Sequence, residues 1–281
     1  MKIKVKVPAK INLTLDITGV KSGYHELNSL VASVNIFDAF TLSARKDGAV
    51  NVVFTGLSAG VEGKDSIASR AGELFVKEFG TTGADIIVER GIPAGGGLGG
   101  SSADAAGVLI GMQKLYSVHK DMSGLANLLG SDTAYMLGGG YAVLKGRGNE
   151  ISPLADIKKR LYILCVKGTS GVSAGECYKR FDDMGKSFPS VTDGAVSLLR
   201  SGDVQNFLSV IKNDLFLPAT EILPEIEESF SDLKNCGAAV MTGSGSTVIG
   251  VYAKAWERNA AYKKLRKKYG DRLIKAKTLI I

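Results

Sequence analysis

Charged and apolar residues alternate from Lys2 to Val7, and polar and apolar ones again from Ile11 to Ile17. A period of two predicts a strand at each place. Ile36 to Ser43, Val50 to Phe54 and Ala84 to Val88 predict three more. Between the last two the period changes: Ile67, Ala71, Leu74 and Phe75 fall at helical spacing, behind Asp65 or Ser66 as a cap. Ala103 to Tyr116 is rich in helix formers, and Ser101 with Asp104 has the spacing of a capping box. A short helix is expected near Met122 to Leu129, then a strand from Tyr141 to Leu144. The polar, turn-rich interval from Gly146 to Pro153 is the expected boundary between two domains, residues 1–152 and 153–281. Beyond it the pattern predicts a strand at Leu161 to Val166 and several helices within Ser173 to Asn235. Strands at Ala238 to Met241 and Val248 to Tyr252 flank a glycine turn, before a basic helix and a last strand, Leu273 to Ile280. Strands and helices mix without regular βαβ alternation, so the expected fold class is α+β.

Composition narrows the function classes. The chain has 281 residues, 45% of them hydrophobic and 22% charged, which describes a folded protein with a sizeable core. No apolar run approaches the roughly eighteen residues of a membrane span. The basic N-terminus alternates and lacks the apolar centre of a signal peptide. A soluble, cytoplasmic protein is expected. Cys165, Cys177 and Cys236 are too scattered for a disulfide framework or a metal knuckle. Only His25 and His119 occur, so an HExxH zinc site is excluded, and no GxSxG elbow accompanies either histidine. The net charge of +7 favours an anionic partner, nucleic acid or a phosphorylated small molecule, unless it merely keeps the surface soluble. Lys263 to Lys268 lies in a helical pattern where a solvated face is the simpler reading.

The chemistry concentrates in Ile92 to Ala106, IPAGGGLGGSSADAA, where Gly95, Gly96, Gly97, Gly99 and Gly100 crowd together. Glycine loses the most backbone entropy on folding, so such a run needs a reason. One reason is a flexible loop or packing turn. The other is a polyphosphate, whose oxygens could reach free N–H groups at the start of the following helix. The run is not a Walker A loop, because no lysine precedes Ser101 and Ser102. It matches the dinucleotide fingerprint literally, yet the required second strand ending in an acid is missing.

The stretch from Pro93 to Ala103 resembles the nucleotide loop of the GHMP kinases, Pro-x-x-x-Gly-Leu-x-Ser-Ser-Ala. Pro8 to Leu13 (PAKINL), Gly23 to Leu27 (GYHEL), Gly130-Ser131-Asp132, Asn213-Asp214-Leu215 and Met241 to Ser246 (MTGSGS) occur in the order found in that superfamily's branch acting on a cytidyl diphosphate of methylerythritol. The serines come one residue early, and Ser66 and Ala174 stand where Asn and Thr are usual.

The resemblance implies an ATP- and Mg²⁺-dependent kinase that phosphorylates the 2-hydroxyl of that small-molecule substrate, in the non-mevalonate route to isoprenoid precursors. Homoserine or mevalonate are the alternative acceptors. It implies a half like the second domain of ribosomal protein S5, carrying ATP, followed by a ferredoxin-like substrate half. Pro93, Ala94, Gly95, Gly96, Gly97, Leu98, Gly99, Gly100, Ser101, Ser102 and Ala103 would hold the nucleotide. Asp132 would accept the hydroxyl proton and Lys10 would steady charge on the γ-phosphate, the two groups phosphoryl transfer to an alcohol requires. Asn12, Tyr24, His25, Gly243, Ser244 and Gly245 would meet the substrate, and Tyr178 would stack on its cytosine. Read alone, Tyr178 could equally be a core aromatic on a helix face, and Gly243 to Ser246 a tight turn; aligned amides in such a turn also make an anion nest. The metal ligands stay unassigned. No nucleic-acid or membrane partner is expected, and the chain should be a monomer or weak homodimer. An RNA-binding module would need a basic stripe interleaved with aromatics, which is absent around the lysine run.

Overall fold

A computed structural model describes residues 2–57 and 65–281. These pack as two compact units. One draws on Met1–Ala9, Ile36–Ala94 and Gly99–Gly139, the other on Lys10–Asn35, Gly95–Leu98 and Gly140–Ile281.

In the first unit, the strand Asn51–Gly56 runs parallel to Ala84–Arg90, which pairs antiparallel with residues 39–44 of the long strand Tyr24–Ala44. Ala84, Ile86, Val88 and Arg90 all point inward, the alternation that a sheet covered on one face requires. The helices are Ile67–Phe79, Gly100–Leu115, Ser123–Leu129 and Thr133–Gly138. Ser66, not Asp65, caps the first of them, accepting the Ser69 N–H at 3.1 Å. The helix Gly100–Leu115 is buried nearly all round, and Gly107 and Gly111 explain how it lies so close to the sheet. A Cβ on either would stand 2.2 Å from the Phe40 ring or 2.4 Å from Leu42.

In the second unit, residues 24–32 of the long strand pair with Asp16–Lys21 and with Tyr141–Gly146. Tyr141–Gly146 turns back into Glu150–Pro153, so the interval read as a polar connection holds the turn and second strand of a β-hairpin. Asn28 and Ser29, buried polar residues, disguise the start of the long strand in the sequence. The expected strand from Ile11 to Ile17 is broken: Lys2–Asn12 ends before Leu13, and Asp16–Lys21 begins after Leu15. Leu15 instead pairs with residues 212–213, its N–H meeting the Lys212 carbonyl at 3.0 Å.

The rest of this unit is an antiparallel sheet in the order Leu273–Lys277, Tyr162–Val166, Val248–Tyr252, Ala238–Met241. Helices connect Tyr162–Val166 to Ala238–Met241 and Val248–Tyr252 to Leu273–Lys277, the split βαβ arrangement of a ferredoxin-like half. Leu164, Val166, Met241, Val248, Leu233 and Leu265 join in its core. The basic helix Ala255–Tyr269 buries Ala261, Leu265 and Tyr269 and exposes Lys263, Lys264, Arg266 and Lys267. No helix among the described residues is long and apolar enough to cross a membrane.

One buried acid has a measurable signature. Asp38, 1% exposed, accepts the N–H groups of Gly91 and Ile92, and burial pushes its carboxyl up to about 6. Between its ordinary value and about 6, the folded protein holds a proton that the unfolded chain has released. Stability therefore falls as pH rises through that window and levels off above it. Asp38→Asn lacks this dependence, so calorimetry from pH 4 to 7 should show the variant gaining on the wild type by on the order of 1–3 kcal/mol.

Candidate functional site

Lys10 and Asn12 lie two apart on one strand, so their side chains share a face. Both are buried, and the Lys10 ammonium donates to Asn12 Oδ1 at 2.7 Å. The same oxygen accepts the Gly243 N–H at 3.1 Å, while Asn12 Nδ2 donates to Ser29 Oγ at 2.8 Å. Asn12 N donates to Thr242 Oγ1 at 3.0 Å. The amide thus aims the lysine and ties it to the turn Thr242–Gly245. That turn is braced from its other side: Asn213 Nδ2 donates to the carbonyls of Met241 and Gly243, at 2.8 Å each. The N–H groups of Gly243 and Gly245 end inside the protein, on Asn12 Oδ1 and the Thr242 carbonyl. For those two amides the tight-turn reading describes the fold.

The glycine run meets this turn directly. Gly97 has φ +74, and a Cβ there would stand 2.1 Å from the Thr242 carbonyl oxygen. Gly96 would meet Thr247 Oγ1 at 2.5 Å. Thr242 Oγ1 donates to the Gly97 carbonyl at 3.2 Å, and the Leu98 carbonyl accepts the Lys10 N–H at 3.0 Å. Polypeptide, therefore, is what comes too close for side chains at Gly96 and Gly97. The two glycines that follow Leu98 differ. Gly99 has φ +78 and is the N-cap of Gly100–Leu115, without any side-chain cap. A Cβ on Gly100 would make only ordinary van der Waals contacts, the nearest with the Ile92 side chain at 3.6 Å. The capping box expected from Ser101 and Asp104 does not form, because Asp104 turns inward to Arg90, 2.8 Å away. Among the described residues no side chain accepts from the first N–H groups of the helix, the condition for binding an anion there.

Pro93 and Ala94 lead into the loop, and Ala103 closes the first turn by donating to the Gly99 carbonyl. Ser101 is exposed and Ser102 half-buried. Only 3.9 Å would separate Ser102 Oγ from a Cβ on Gly130, so Ser102 is the serine beside the Gly130-Ser131-Asp132 turn. Asp132 occupies the N-cap position of Thr133–Gly138, and its side chain makes no capping bond.

Three further residues gather on the second unit. The His25 ring stacks on Tyr178 at 4.7 Å with 22° between planes, and His25 Nε2 lies 2.7 Å from Asp182 Oδ1. Tyr24, the next residue on the strand, faces the other way and is 52% exposed, with the Arg147 guanidinium 3.5 Å over its ring. Asp182 and Arg147 are the neighbours that sequence reasoning missed. For Asp182 a signal existed: it follows Tyr178 by four on one helix, hence on the same face. For Arg147 none did, since only the hairpin brings it to Tyr24. His119 is exposed outside any helix or strand.

Residues 66–152 match the model of the GHMP kinases N terminal domain and residues 195–271 that of the GHMP kinases C terminal domain. A 4-diphosphocytidyl-2-C-methyl-D-erythritol kinase from Desulfitobacterium hafniense is 35% identical over 86% of this chain and 84% of its own. One from Syntrophomonas wolfei is 32% identical, with 96% of both chains covered. A crystal structure of 4-(cytidine 5'-diphospho)-2C-methyl-D-erythritol kinase superposes with a TM-score of 0.80 at 28% identity, covering 98% of each chain.

The loop's two kinds of glycine separate in a stability measurement. Gly97→Ala meets a backbone carbonyl at an unfavourable φ and should lose on the order of 2–4 kcal/mol. Gly100→Ala has room and a helical position, and should stay within about 1 kcal/mol of wild type. Thermal unfolding of the two variants checks the contrast.

Proposed function

The chain belongs to the GHMP kinase family, and on that premise we propose that it transfers the γ-phosphoryl group of ATP to the 2-hydroxyl of 4-diphosphocytidyl-2-C-methyl-D-erythritol, in the non-mevalonate pathway. The observation that carries the proposal is the buried Lys10 ammonium, held by Asn12 against the turn at Gly243. A buried cation on a braced strand can meet a γ-phosphate without first reorganising, the main protein contribution to phosphoryl transfer. The sequence relatives above support the choice of acceptor over homoserine or mevalonate.

In this reading the uncapped N–H groups at Gly100 to Ser102 receive the nucleotide's phosphates. Asp132 accepts the proton of the attacking hydroxyl, and Lys10 offsets charge on the transferred group. Asn12 acts on the lysine as a positioning residue. His25 and Tyr178, already in contact, bind the cytosine, and Tyr24, on the opposite side of the strand, makes a more exposed contact. Ser244 is the turn residue that reaches toward the diphosphate. Residues 1–152 carry the nucleotide loop and also lend His25 and Tyr24 to the substrate side, to which residues 153–281 contribute Tyr178 and the turn at Ser244.

Among the described residues no group of three His, Cys, Asp or Glu could hold a metal by itself. That suits Mg²⁺ arriving on the nucleotide, since this ion keeps several waters and takes few protein ligands beyond phosphates. Ser102, a hard oxygen donor in the first turn of the helix, is the residue that would hold it. Bound there, it would neutralise phosphate charge.

A coupled kinase assay against the cytidyl substrate, homoserine and mevalonate tests the proposal. Turnover with the first alone is expected; turnover with either of the others instead would remove the substrate assignment. Asp132→Asn should fold, bind ATP and lose ~10²–10⁴ in kcat, with little change in KM. His25→Ala and Tyr178→Ala should raise KM for the cytidyl substrate and spare KM for ATP. Wild-type kcat in Asp132→Asn would contradict its role as base.

A further inference from the structure

Two buried contacts in the first unit fasten the ends of the glycine loop. Where the chain leaves the strand Ala84–Arg90, the Asp38 carboxylate accepts the consecutive N–H groups of Gly91 and Ile92, at 2.7 and 2.8 Å. Where it enters the helix Gly100–Leu115, Asp104 Oδ2 accepts from Arg90 Nη2 at 2.8 Å, and the two side chains are 4% and 8% exposed. Arg90 is the last residue of the strand and Asp104 lies in the second turn of the helix, so this pair spans the loop from below. The guanidinium is further fixed by the Phe54 ring, 3.9 Å beneath it.

Stability does not account for this arrangement. Apolar residues of the same size commonly serve a core as well as a buried ion pair does. Here the pair is also incompletely satisfied: Asp104 Oδ1 is buried with no hydrogen-bond partner among the described residues. Burial keeps the carboxyls of both Asp38 and Asp104 above their ordinary values. What the contacts supply is direction. A planar guanidinium clamped between a ring and a carboxylate admits one orientation. Two adjacent amides on one carboxylate likewise fix how residues 91 and 92 depart from the sheet.

We propose that Asp38, Arg90 and Asp104 are positioning residues for the nucleotide. They hold the first turn of the helix against the end of the strand, so that its uncapped N–H groups face the phosphates in one fixed geometry. The inference rests on the nucleotide reading of the loop given above. The residues touch no phosphate themselves; they act through Gly91, Ile92 and the backbone of Gly100 to Ser102.

The decisive variant is Arg90→Met combined with Asp104→Leu, which replaces the pair by apolar packing. Its thermal stability should match or exceed the wild type's, while its affinity for ATP, measured by calorimetry on the full chain, should fall about tenfold. KM for the alcohol substrate should stay within about twofold of wild type. Arg90→Lys keeps the charge but loses the planar fork, and should weaken ATP binding by a smaller factor without unfolding the protein. If the double variant does not fold, Arg90→Lys and Asp38→Asn decide the matter by the same readout. Wild-type ATP affinity in folded variants would overturn the proposal. A wild-type protein that fails to bind ATP would instead overturn the nucleotide reading on which it stands.

Discussion

Two glycine-rich segments, residues 95–97 and 242–247, approach so closely that no side chain fits where they touch. The Gly97 Cα and the Thr242 carbonyl set the separation, since a single added carbon would lie 2.1 Å from that oxygen. Asn12 then converts the approach into a site. Its one side chain fastens Lys10, the Gly243 N–H and Ser29, and its backbone N–H meets Thr242 Oγ1. A residue joined on so many sides has one rotamer, and the ammonium that it holds inherits that order. The Asn213 amide repeats the tactic behind the turn, through the carbonyls of Met241 and Gly243.

The motifs of the family therefore divide by the work that they do. Asn213, Thr242, Gly97 and Asn12 are chiefly braces, each hydrogen-bonded or packed within its own unit. Lys10, Asp132, Ser102 and the helix start at Gly100 are the groups to which the proposed function gives the chemistry. Enzymes that depend on positioning more than on covalent chemistry need many braces for few reacting groups.

The same division appears around the aromatic cluster. His25 lies between the Tyr178 ring and the Asp182 carboxylate, which orients the imidazole and gives its Nε2 a partner. Tyr24 and Arg147 form a second, more exposed pair on the opposite side of the strand. Burial grades the two: the His25 side chain is 14% exposed and Tyr24 as a whole 52%. An ordered, sheltered imidazole suits recognition of a polar edge, and an exposed ring with a cation over it suits a mobile contact.

The sequence by itself determined the class of the fold, most of its strands, most helices of the first half and the ordered motifs that identify the family; it missed the strand start at Tyr24, the strand Glu150–Pro153 and the helix Thr133–Gly138. What it determined rests on local chemistry: periodicity, glycines that permit unusual backbone angles, and residues adjacent along the chain. It mistook what Ser101 and Asp104 do, because capping depends on whether a competing partner exists. Arg90 is that partner, and burial makes its claim on Asp104 the stronger one. The break at Leu13 to Leu15 was equally invisible, since it is imposed by residues 212–213, far along the chain. So was the reason for Gly96 and Gly97. A run of glycines declares that something comes close; only the tertiary structure decided that it is the protein's own chain, the Thr247 side chain at Gly96 and the Thr242 carbonyl at Gly97.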